Sequence, residues 1–178
     1  DNPQSLLLML VSAAFLAVGT VLIRGLAGID ALSMQAWSAW IGLPPLLAHG
    51  SAELKARVIP PVLRGEKISA LAVTEPGGGS DVAALKTRAI RDGDHYVVDG
   101  EKIFITSGMR ADFITVAVRT DPASKGPNGI SALLVPGDTP GLERTALKKM
   151  GWWASDTAHL RFDGCRVPVA NLIGEEHR

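Results

Sequence analysis

Hydrophobic and polar positions follow two different patterns along the chain, and the pattern changes near residue 50. Before that point, Leu6–Ile23 is an uncharged run rich in Leu, Ala and Val. As a helix this run would be about 27 Å long, just enough to cross the hydrocarbon core of a bilayer. A second apolar run, Ala31–Ala48, is weaker, because it contains polar residues and the pair Pro44-Pro45, which would break a helix. The pattern predicts an apolar α-helical hairpin over residues 6–48.

This first segment has two interpretations. As a membrane segment, the hairpin would insert, with Trp37 and Trp40 at the membrane interface. As a soluble segment, it would form buried helices of a larger protein. Asp1 and no Lys or Arg precede the apolar run, which argues against a secretory signal peptide. The chain also begins without Met, so we expect it to be a fragment.

From Ser51 onward, short apolar or alternating runs separated by turn residues predict strands. Ala52–Leu63 predicts a short helix that is interrupted at Pro60-Pro61. Asp92-Gly93-Asp94 and Asp99-Gly100 predict hairpin turns, because Asp-Gly suits positive φ. Many short strands without intervening helices predict a mainly β fold, an antiparallel barrel or sandwich. The strand candidates are Ile68–Thr74, Lys86–Arg91, His95–Val98, Glu101–Thr106, Phe113–Arg119, Ser131–Val135, Leu142–Leu147 and Ala158–Phe162.

Charge and composition exclude several classes of function. The chain has 18 basic and 18 acidic residues, and neither half carries the basic excess that is usual in nucleic-acid-binding proteins. Cys165 is the only cysteine, which excludes an internal disulfide and a zinc–cysteine cluster, and we expect it to be structural. The histidines lack ligand spacing, so no metal site is expected: they are His49, His95, His159 and His177.

The stretch from Thr74 to Asp81, Thr-Glu-Pro-Gly-Gly-Gly-Ser-Asp, is the first candidate for chemistry. It follows a strand-like run and precedes a short helix-prone piece, Val82–Leu85. Glycines can take positive φ and carry no side chain, so main-chain N–H groups can face a bound group closely. Ser80 and Asp81 are good helix N-cap residues, and a helix N-terminus favours an anion such as phosphate. The stretch therefore predicts a hollow lined by backbone.

Further motifs follow in a sensible order and spacing. The segments are Ile68–Asp81, Lys102–Gly108, Lys149–Trp152 with Ser155–Thr157, and Val167-Pro168 with Asn171–Glu176. Together they resemble the middle β-domain of the acyl-CoA dehydrogenase family, from about His49 to Arg178. The resemblance implies an antiparallel orthogonal β-barrel that holds the flavin of FAD. It also divides the chain into residues 1–48 and 49–178.

The resemblance also implies roles for individual residues. Val73 and Thr74 would contact the pyrimidine end of the flavin through backbone N–H and hydroxyl groups. Gly79 and Ser80 would lie by the pyrophosphate, with Ser80 also near the acyl-CoA substrate. A flavin needs a flat apolar wall and a few donors, which aromatic side chains, threonine hydroxyls and strand-end N–H groups can supply. The residues that would line the ring are Phe104, Ile105 and Thr106, the last with its hydroxyl near the reactive nitrogen.

Two positions depart from the family pattern. Phe104 stands where many relatives carry Trp, and Ser107 stands where Asn is common. Other conspicuous residues have plainer interpretations. Glu75 precedes a proline in a turn and is expected to cap or pair locally, while Trp152-Trp153 are expected in core or rim packing. Lys148-Lys149 are expected on a solvated face.

The family reaction removes a proton from the carbon next to the thioester and passes a hydride from the next carbon to FAD. The resemblance implies that the base comes from a C-terminal helical domain, whereas the chain stops at Arg178. We therefore expect weak FAD binding, no catalytic residue in this chain and no dehydrogenase turnover by it alone. The resemblance further implies an acyl-CoA substrate, an electron-accepting flavoprotein, a homo-oligomer and a cytoplasmic location for the β-domain.

The apolar segment carries a resemblance of its own. Gly19–Arg24 and Gly28–Trp37 together resemble a helix pair of the drug/metabolite transporter superfamily. Two such helices cannot make a transport path. Beside the oxidoreductase, two other interpretations stay open. The chain would be a membrane-anchored, non-catalytic binding module with residues 6–48 inserted, or a chimeric fragment without a biological role of its own.

Overall fold

Two helices precede the strands in the computed structural model, which describes residues 43–124, 126–153 and 155–176. The first, α1 (Pro44–His49), begins with the two prolines that were expected to break a helix. Proline is tolerated there, because the first N–H groups of a helix have no intrahelical partner. The second, α2 (Ala52–Leu63), is capped by Ser51, whose Oγ accepts a hydrogen bond from the Leu54 amide at 3.1 Å.

Pro60 and Pro61 lie inside α2 and do not interrupt it, so that expectation is wrong. The pair falls in the last turn of the helix. There its carbonyls close the helix by accepting bonds from the amides of Arg64 at 3.0 Å and Glu66 at 2.9 Å. A proline destabilises a helix most in its interior, where it removes a backbone hydrogen bond. Here α2 ends at Leu63, so no complete turn follows the pair.

Within the described residues, eight strands belong to one sheet, so the fold is mainly β as predicted. Short 3-10 turns connect some of them, at Val82–Ala84, Pro127–Gly129 and Val169–Asn171. The bounds of the strands are β1 (Ser69–Ala72), β2 (Arg88–Asp92), β3 (His95–Thr106), β4 (Phe113–Arg119), β5 (Ile130–Pro136), β6 (Leu142–Ala146), β7 (Thr157–Pro168) and β8 (Leu172–Ile173).

The sheet is open, so the predicted closed orthogonal barrel is wrong. Its strands run in the order β6-β7-β3-β2-β4-β5-β8, and β1 pairs with β4 beside this path. Most pairs are antiparallel, but β1 runs parallel to β4, and β2 meets β4 in parallel at a single position. Strand patterns predict where strands occur, whereas closure depends on which distant strands pair at the edges.

The turn predicted at Asp99-Gly100 is also wrong, because both residues lie inside the continuous strand β3. Gly100 has φ 142° and pairs with Phe162 of β7. Because β7 runs beside nearly the whole length of β3, its ladder holds this Asp-Gly pair in the sheet. An Asp-Gly pair favours a turn, but pairing with a long neighbouring strand overrides that local preference.

The turn predicted at Asp92-Gly93-Asp94 is confirmed. Gly93 takes φ 61°, and Asp92 of β2 pairs with His95 of β3 across the hairpin. Here the two strands are neighbours in the sequence, so turn chemistry and strand pairing favour the same conformation. This hairpin sets the register of β2 on β3, and therefore places Arg88, the first residue of β2, opposite Asp99.

The core has two parts, one between the strands and one beneath the helices. In the second part, α1 and α2 pack against β5 and β8 through Leu43, Leu46, Leu54, Val58, Val62, Leu134 and Ile173. Arg57 donates to Asn171 Oδ1 at 2.6 Å, and Asn171 donates in turn to the Leu134 carbonyl at 2.9 Å. Helix α1 includes residues 48 and 49, between which the resemblance divides the chain, and that division stays a prediction.

No helix among the described residues is long and apolar enough to cross a membrane. The predicted hairpin over residues 6–48 lies outside those residues except for its end, which forms most of α1. The transporter-like segments Gly19–Arg24 and Gly28–Trp37 lie wholly outside them.

Candidate functional site

The chain leaves the sheet after β1 and turns over residues 73–79, called the corner below. Two bonds from β3 hold its first two residues. The Thr74 carbonyl accepts a bond from the Ile103 amide at 2.9 Å, and the Val73 carbonyl accepts one from Lys102 Nζ at 2.9 Å. These contacts bring the end of β1 beside the middle of β3, although Val73 and Lys102 are 29 residues apart in the chain.

Glycines form the outer part of the corner. The turn is closed by two backbone hydrogen bonds between Glu75 and Gly78, of 3.0 and 3.1 Å. A Cβ placed on Gly79 would lie 3.2 Å from Thr74 Cγ2, so a side chain there would press on the threonine. A Cβ placed on Gly77 or Gly78 would have nothing within 4 Å. The corner therefore presents bare backbone, and Gly79 leaves room beside Thr74.

The helix cap predicted after the corner does not form. The Asp81 side chain makes no capping bond, and Val82–Ala84 is a single 3-10 turn. Arg119 holds this segment instead, by donating to the carbonyls of Ala83 at 2.7 Å and Leu85 at 3.2 Å. An anion at this end of the site would thus meet turn backbone, and the predicted contribution of a helix N-terminus is wrong.

A β-bulge turns Phe104 away from the core. Across β3 and β7, Lys102 pairs with Leu160 and Ile105 with Ala158, so two β3 residues face one residue of β7. Phe104 takes φ 62°, a conformation that is rare for a side chain of this size. The residue is 66% exposed. The fold thus presents an aromatic ring to solvent in a conformation that costs about 1–3 kcal/mol.

The other residues predicted to line the ring differ in their surroundings. Ile105 is 2% exposed and belongs to the core, and its carbonyl already accepts a bond from the Gly108 amide at 3.1 Å. Thr106 ends β3, is exposed, and pairs with Thr157 of β7. Ser107, the second departure from the family pattern, is 3% exposed with φ 61°, a conformation that Asn tolerates better than Ser.

An Asp and an Arg hold the turn that follows Thr106. Asp156 accepts bonds from the Met109 amide at 2.8 Å and from Arg110 Nε at 2.7 Å. Arg144 donates to four carbonyls around the same turn, those of Gly108, Met109, Ala111 and Gly137. Asp156 belongs to the Ser155–Thr157 motif, which sequence reasoning left without a role; the structure shows that it fixes the chain just beyond Thr106.

A buried ion pair lies behind the corner. Lys102 is 0% exposed, and its Nζ lies 2.9 Å from Glu75 Oε1. Glu75, 9% exposed, also accepts bonds from the amides of Lys86 at 2.6 Å and Thr87 at 2.9 Å. Glu75 thus forms a pair, but the expectation that it would do so locally is wrong, because its partner lies 27 residues further along the chain. Sequence reasoning missed Lys102, although a lysine at an inward position of an alternating strand was a signal.

Acid is expected to remove the stabilisation that Glu75 provides. Burial alone would raise its pKa, but hydrogen bonds from Thr87, Lys102 and Lys86 outweigh burial and hold the pKa below its ordinary value of 4.5. A lowered carboxyl pKa stabilises the fold above the unfolded value, and this stability is lost as the pH falls through the folded value. Unfolding free energies measured at several pH values should fall below about pH 4.5, less steeply for Glu75→Gln. An equal slope for the variant would contradict this.

The remaining predicted residues lie away from the corner. Trp152 and Trp153 are 71% and 77% exposed, so the expected core or rim packing is wrong. Lys148 is exposed as expected, whereas Lys149 binds the carbonyls of Trp152 and Ser155. Among the described residues, no group of three or more His, Cys, Asp or Glu could hold a metal ion. Burial raises the pKa of the Cys165 thiol, as befits a core residue.

Comparison with known proteins identifies the domain. The family model "Acyl-CoA dehydrogenase, middle domain" matches residues 70–165, more than half of the chain. The chain is 42% identical to the mitochondrial isobutyryl-CoA dehydrogenase of Dictyostelium discoideum over 163 residues. That alignment covers 88% of this chain and 38% of the relative. The crystal structure of an acyl-CoA dehydrogenase from Geobacillus kaustophilus is 43% identical with a TM-score of 0.74, over 83% of this chain and 43% of that one.

The chain therefore belongs to the acyl-CoA dehydrogenase family, through its middle domain. A further relative, a glutaryl-CoA dehydrogenase from Mycobacterium smegmatis in complex with FADH2, is 36% identical with a TM-score of 0.68. That match covers 74% of this chain and 33% of the relative. The chain spans less than half the length of each of these three proteins.

Proposed function

We propose that this domain holds FAD for the α,β-dehydrogenation of acyl-CoA thioesters. The observation that carries the proposal is the pairing of the glycine corner with an outward-turned aromatic ring. The Ile103 amide binds the Thr74 carbonyl at 2.9 Å, and Phe104, the next residue, is 66% exposed. A flat apolar ring next to hydrogen-bonding backbone suits a flavin. The relative from M. smegmatis, described in complex with FADH2, supports the same ligand.

The residues at the corner fit such a ligand. The carbonyls of Val73 and Thr74 already accept bonds from β3, so the corner would offer the flavin donors, namely N–H groups and the Thr74 hydroxyl. Gly79 would let the pyrophosphate approach, and Ser80 would lie by the pyrophosphate and also near the acyl-CoA. Bound flavin would accept the two electrons of the oxidation. Phe104 and Thr106 would cover the ring and exclude water, with Ile105 packed between them in the core.

A general base is not available at the corner. Both oxygens of Glu75, the buried carboxylate there, accept hydrogen bonds, from Lys102 and Thr87 on one oxygen and from Lys86 on the other. A base must reach the proton it removes, and this carboxylate is directed into the protein. We therefore propose that the described residues supply flavin binding, and that the base, the electron-accepting flavoprotein and the contacts of a homo-oligomer involve other residues.

Replacing Gly79 by valine is expected to weaken FAD binding by about tenfold or more, because the side chain would press on Thr74 and fill the approach. The measurement is a titration of flavin absorbance and fluorescence with protein in the high micromolar range. Gly151→Val is the matched control, since a side chain there also meets nothing within 4 Å and Gly151 lies outside the corner; this variant should bind like the wild type.

The same titration tests the proposal itself. The wild-type chain should change the flavin spectrum, with weak affinity because one domain encloses only part of a flavin. The wild-type chain should not oxidise an acyl-CoA that is added with an artificial electron acceptor. Absence of any spectral change at high micromolar protein would overturn flavin binding, and measurable oxidation would overturn the assignment of the base to other residues.

A further inference from the structure

Lys102 is a buried charge that flavin binding, as described above, does not use directly. Its side chain is 0% exposed and lies in the middle of β3, at an inward position of the strand. Lysine is almost never fully buried unless it is paired, since removing its charge from water is costly. Burial accordingly lowers the pKa of Lys102, against the opposing effect of Glu75. A residue of this kind calls for a reason beyond filling space.

The contacts of Lys102 join three segments of the chain. Its Nζ binds the Val73 carbonyl and Glu75 Oε1, each at 2.9 Å. Glu75 in turn accepts the amides of Lys86 and Thr87, which lead into β2. One ammonium and one carboxylate thus hold the end of β1, the start of β2 and the middle of β3 in a fixed relation.

Stability alone does not explain this arrangement. Replacing a buried ion pair by well-packed apolar residues of similar volume is often neutral or stabilising. An apolar side chain, however, cannot donate to a backbone carbonyl. Val73 lies just beyond Ala72, the last β1 residue paired with β4, and its carbonyl accepts from the Lys102 side chain. The ammonium supplies this donor at the point where the chain leaves the sheet for the corner.

We propose that Lys102, held by Glu75, is a positioning residue for the ligand-binding corner. By drawing the Val73 carbonyl inward, it fixes the conformation of residues 73–79 and so the direction of the donors that they present. The proposal rests on the proposed function in that the ligand is a flavin. It predicts that replacing Lys102 changes corner geometry and flavin affinity beyond what a general loss of stability would produce.

The test compares the double variant Lys102→Met/Glu75→Gln with Val135→Ala. The double variant removes both charges, so no unpaired buried charge remains; it keeps one acceptor, for the Thr87 amide, and the Lys86 amide loses its own. Val135 is a fully buried residue of β5, and its truncation leaves a cavity that lowers stability without touching the corner. Backbone amide hydrogen exchange over residues 73–79, relative to amides at the β2–β3 hairpin, which does not pair with β5, is measured in the free proteins. FAD dissociation constants follow from the titration described above.

The double variant should raise the relative exchange rates at the corner and the FAD dissociation constant by about tenfold each, a change that corresponds to about 1.4 kcal/mol. Val135→Ala should change neither, although it lowers the denaturation midpoint. Unchanged corner exchange in the double variant, or an equal rise in Val135→Ala, would overturn the proposal. If the wild type fails to bind FAD, the proposed function is wrong, and the exchange rates alone decide whether Lys102 positions the corner.

Discussion

Replacing Lys102 by methionine alone is expected to lower the free energy of unfolding by about 3–5 kcal/mol, because breaking a buried ion pair leaves its partner uncompensated. The remaining Glu75 carboxylate would keep its bonds from the Lys86 and Thr87 amides but would lose the ammonium at 2.9 Å. The Val73 carbonyl would lose its donor as well. The measurement is urea unfolding at pH 7, followed by a probe of the sheet.

A double-mutant cycle separates the pair from its surroundings. Glu75→Gln and Lys102→Met are each expected to destabilise the protein, and the double variant should lose about 1–3 kcal/mol less than the sum of the two. The control is Lys67→Met, which removes an exposed pair with Asp112 and should cost no more than about 1 kcal/mol. Strict additivity of the two buried substitutions, or a loss for Lys102→Met no larger than the control, would contradict the prediction.

Replacing Gly100 by alanine is expected to lower the free energy of unfolding by about 2–5 kcal/mol, for two independent reasons. At φ 142°, a residue with a side chain is strained. The added Cβ would also lie 2.7 Å from Thr87 Cα, a backbone atom that cannot rotate away. Thr87 holds Glu75 and donates to the Glu101 carbonyl, so any shift would reach the ion pair.

Substitutions at two other glycines separate backbone strain from steric overlap. Gly164→Ala tests strain alone, because Gly164 has φ 62° and a Cβ there meets nothing within 4 Å; its cost should be about 1–2 kcal/mol. Gly77→Ala tests neither cause and should change stability by about 0.5 kcal/mol at most. Thermal or denaturant unfolding of the three variants gives the order. A Gly100 variant as stable as the Gly164 variant would show that the close approach to Thr87 is relieved at no cost.

Local patterns predicted the elements well where near neighbours in the sequence decide the conformation. The strand Phe113–Arg119 was predicted with the bounds that the structure has, and the hairpin at Asp92-Gly93-Asp94 formed as expected. In both cases residue type and hydrogen-bond geometry act within a few residues. The Asp99-Gly100 turn failed because β7, more than fifty residues further along, pairs across it.

The candidate site shows the same division. The glycine corner and the Phe104–Thr106 segment were found as motifs, but their proximity depends on the bond from the Ile103 amide to the Thr74 carbonyl. Strict alternation from Lys102 would place Phe104 inward, whereas the bulge turns its ring outward and Ile105 into the core. The roles assigned to these residues toward FAD stay predictions until a ligand is measured.

The sequence by itself determined that residues from Ser51 onward form a mainly β domain, which segments carry the family motifs, and which classes of site the composition excludes. These follow from side-chain pattern and local backbone preference. Tertiary structure decided that the sheet stays open, that Phe104 faces solvent, and that Lys102 meets Glu75 behind the corner. Each of these depends on strand pairing between distant segments, and a residue's own neighbours do not encode the partner that arrives from far along the chain.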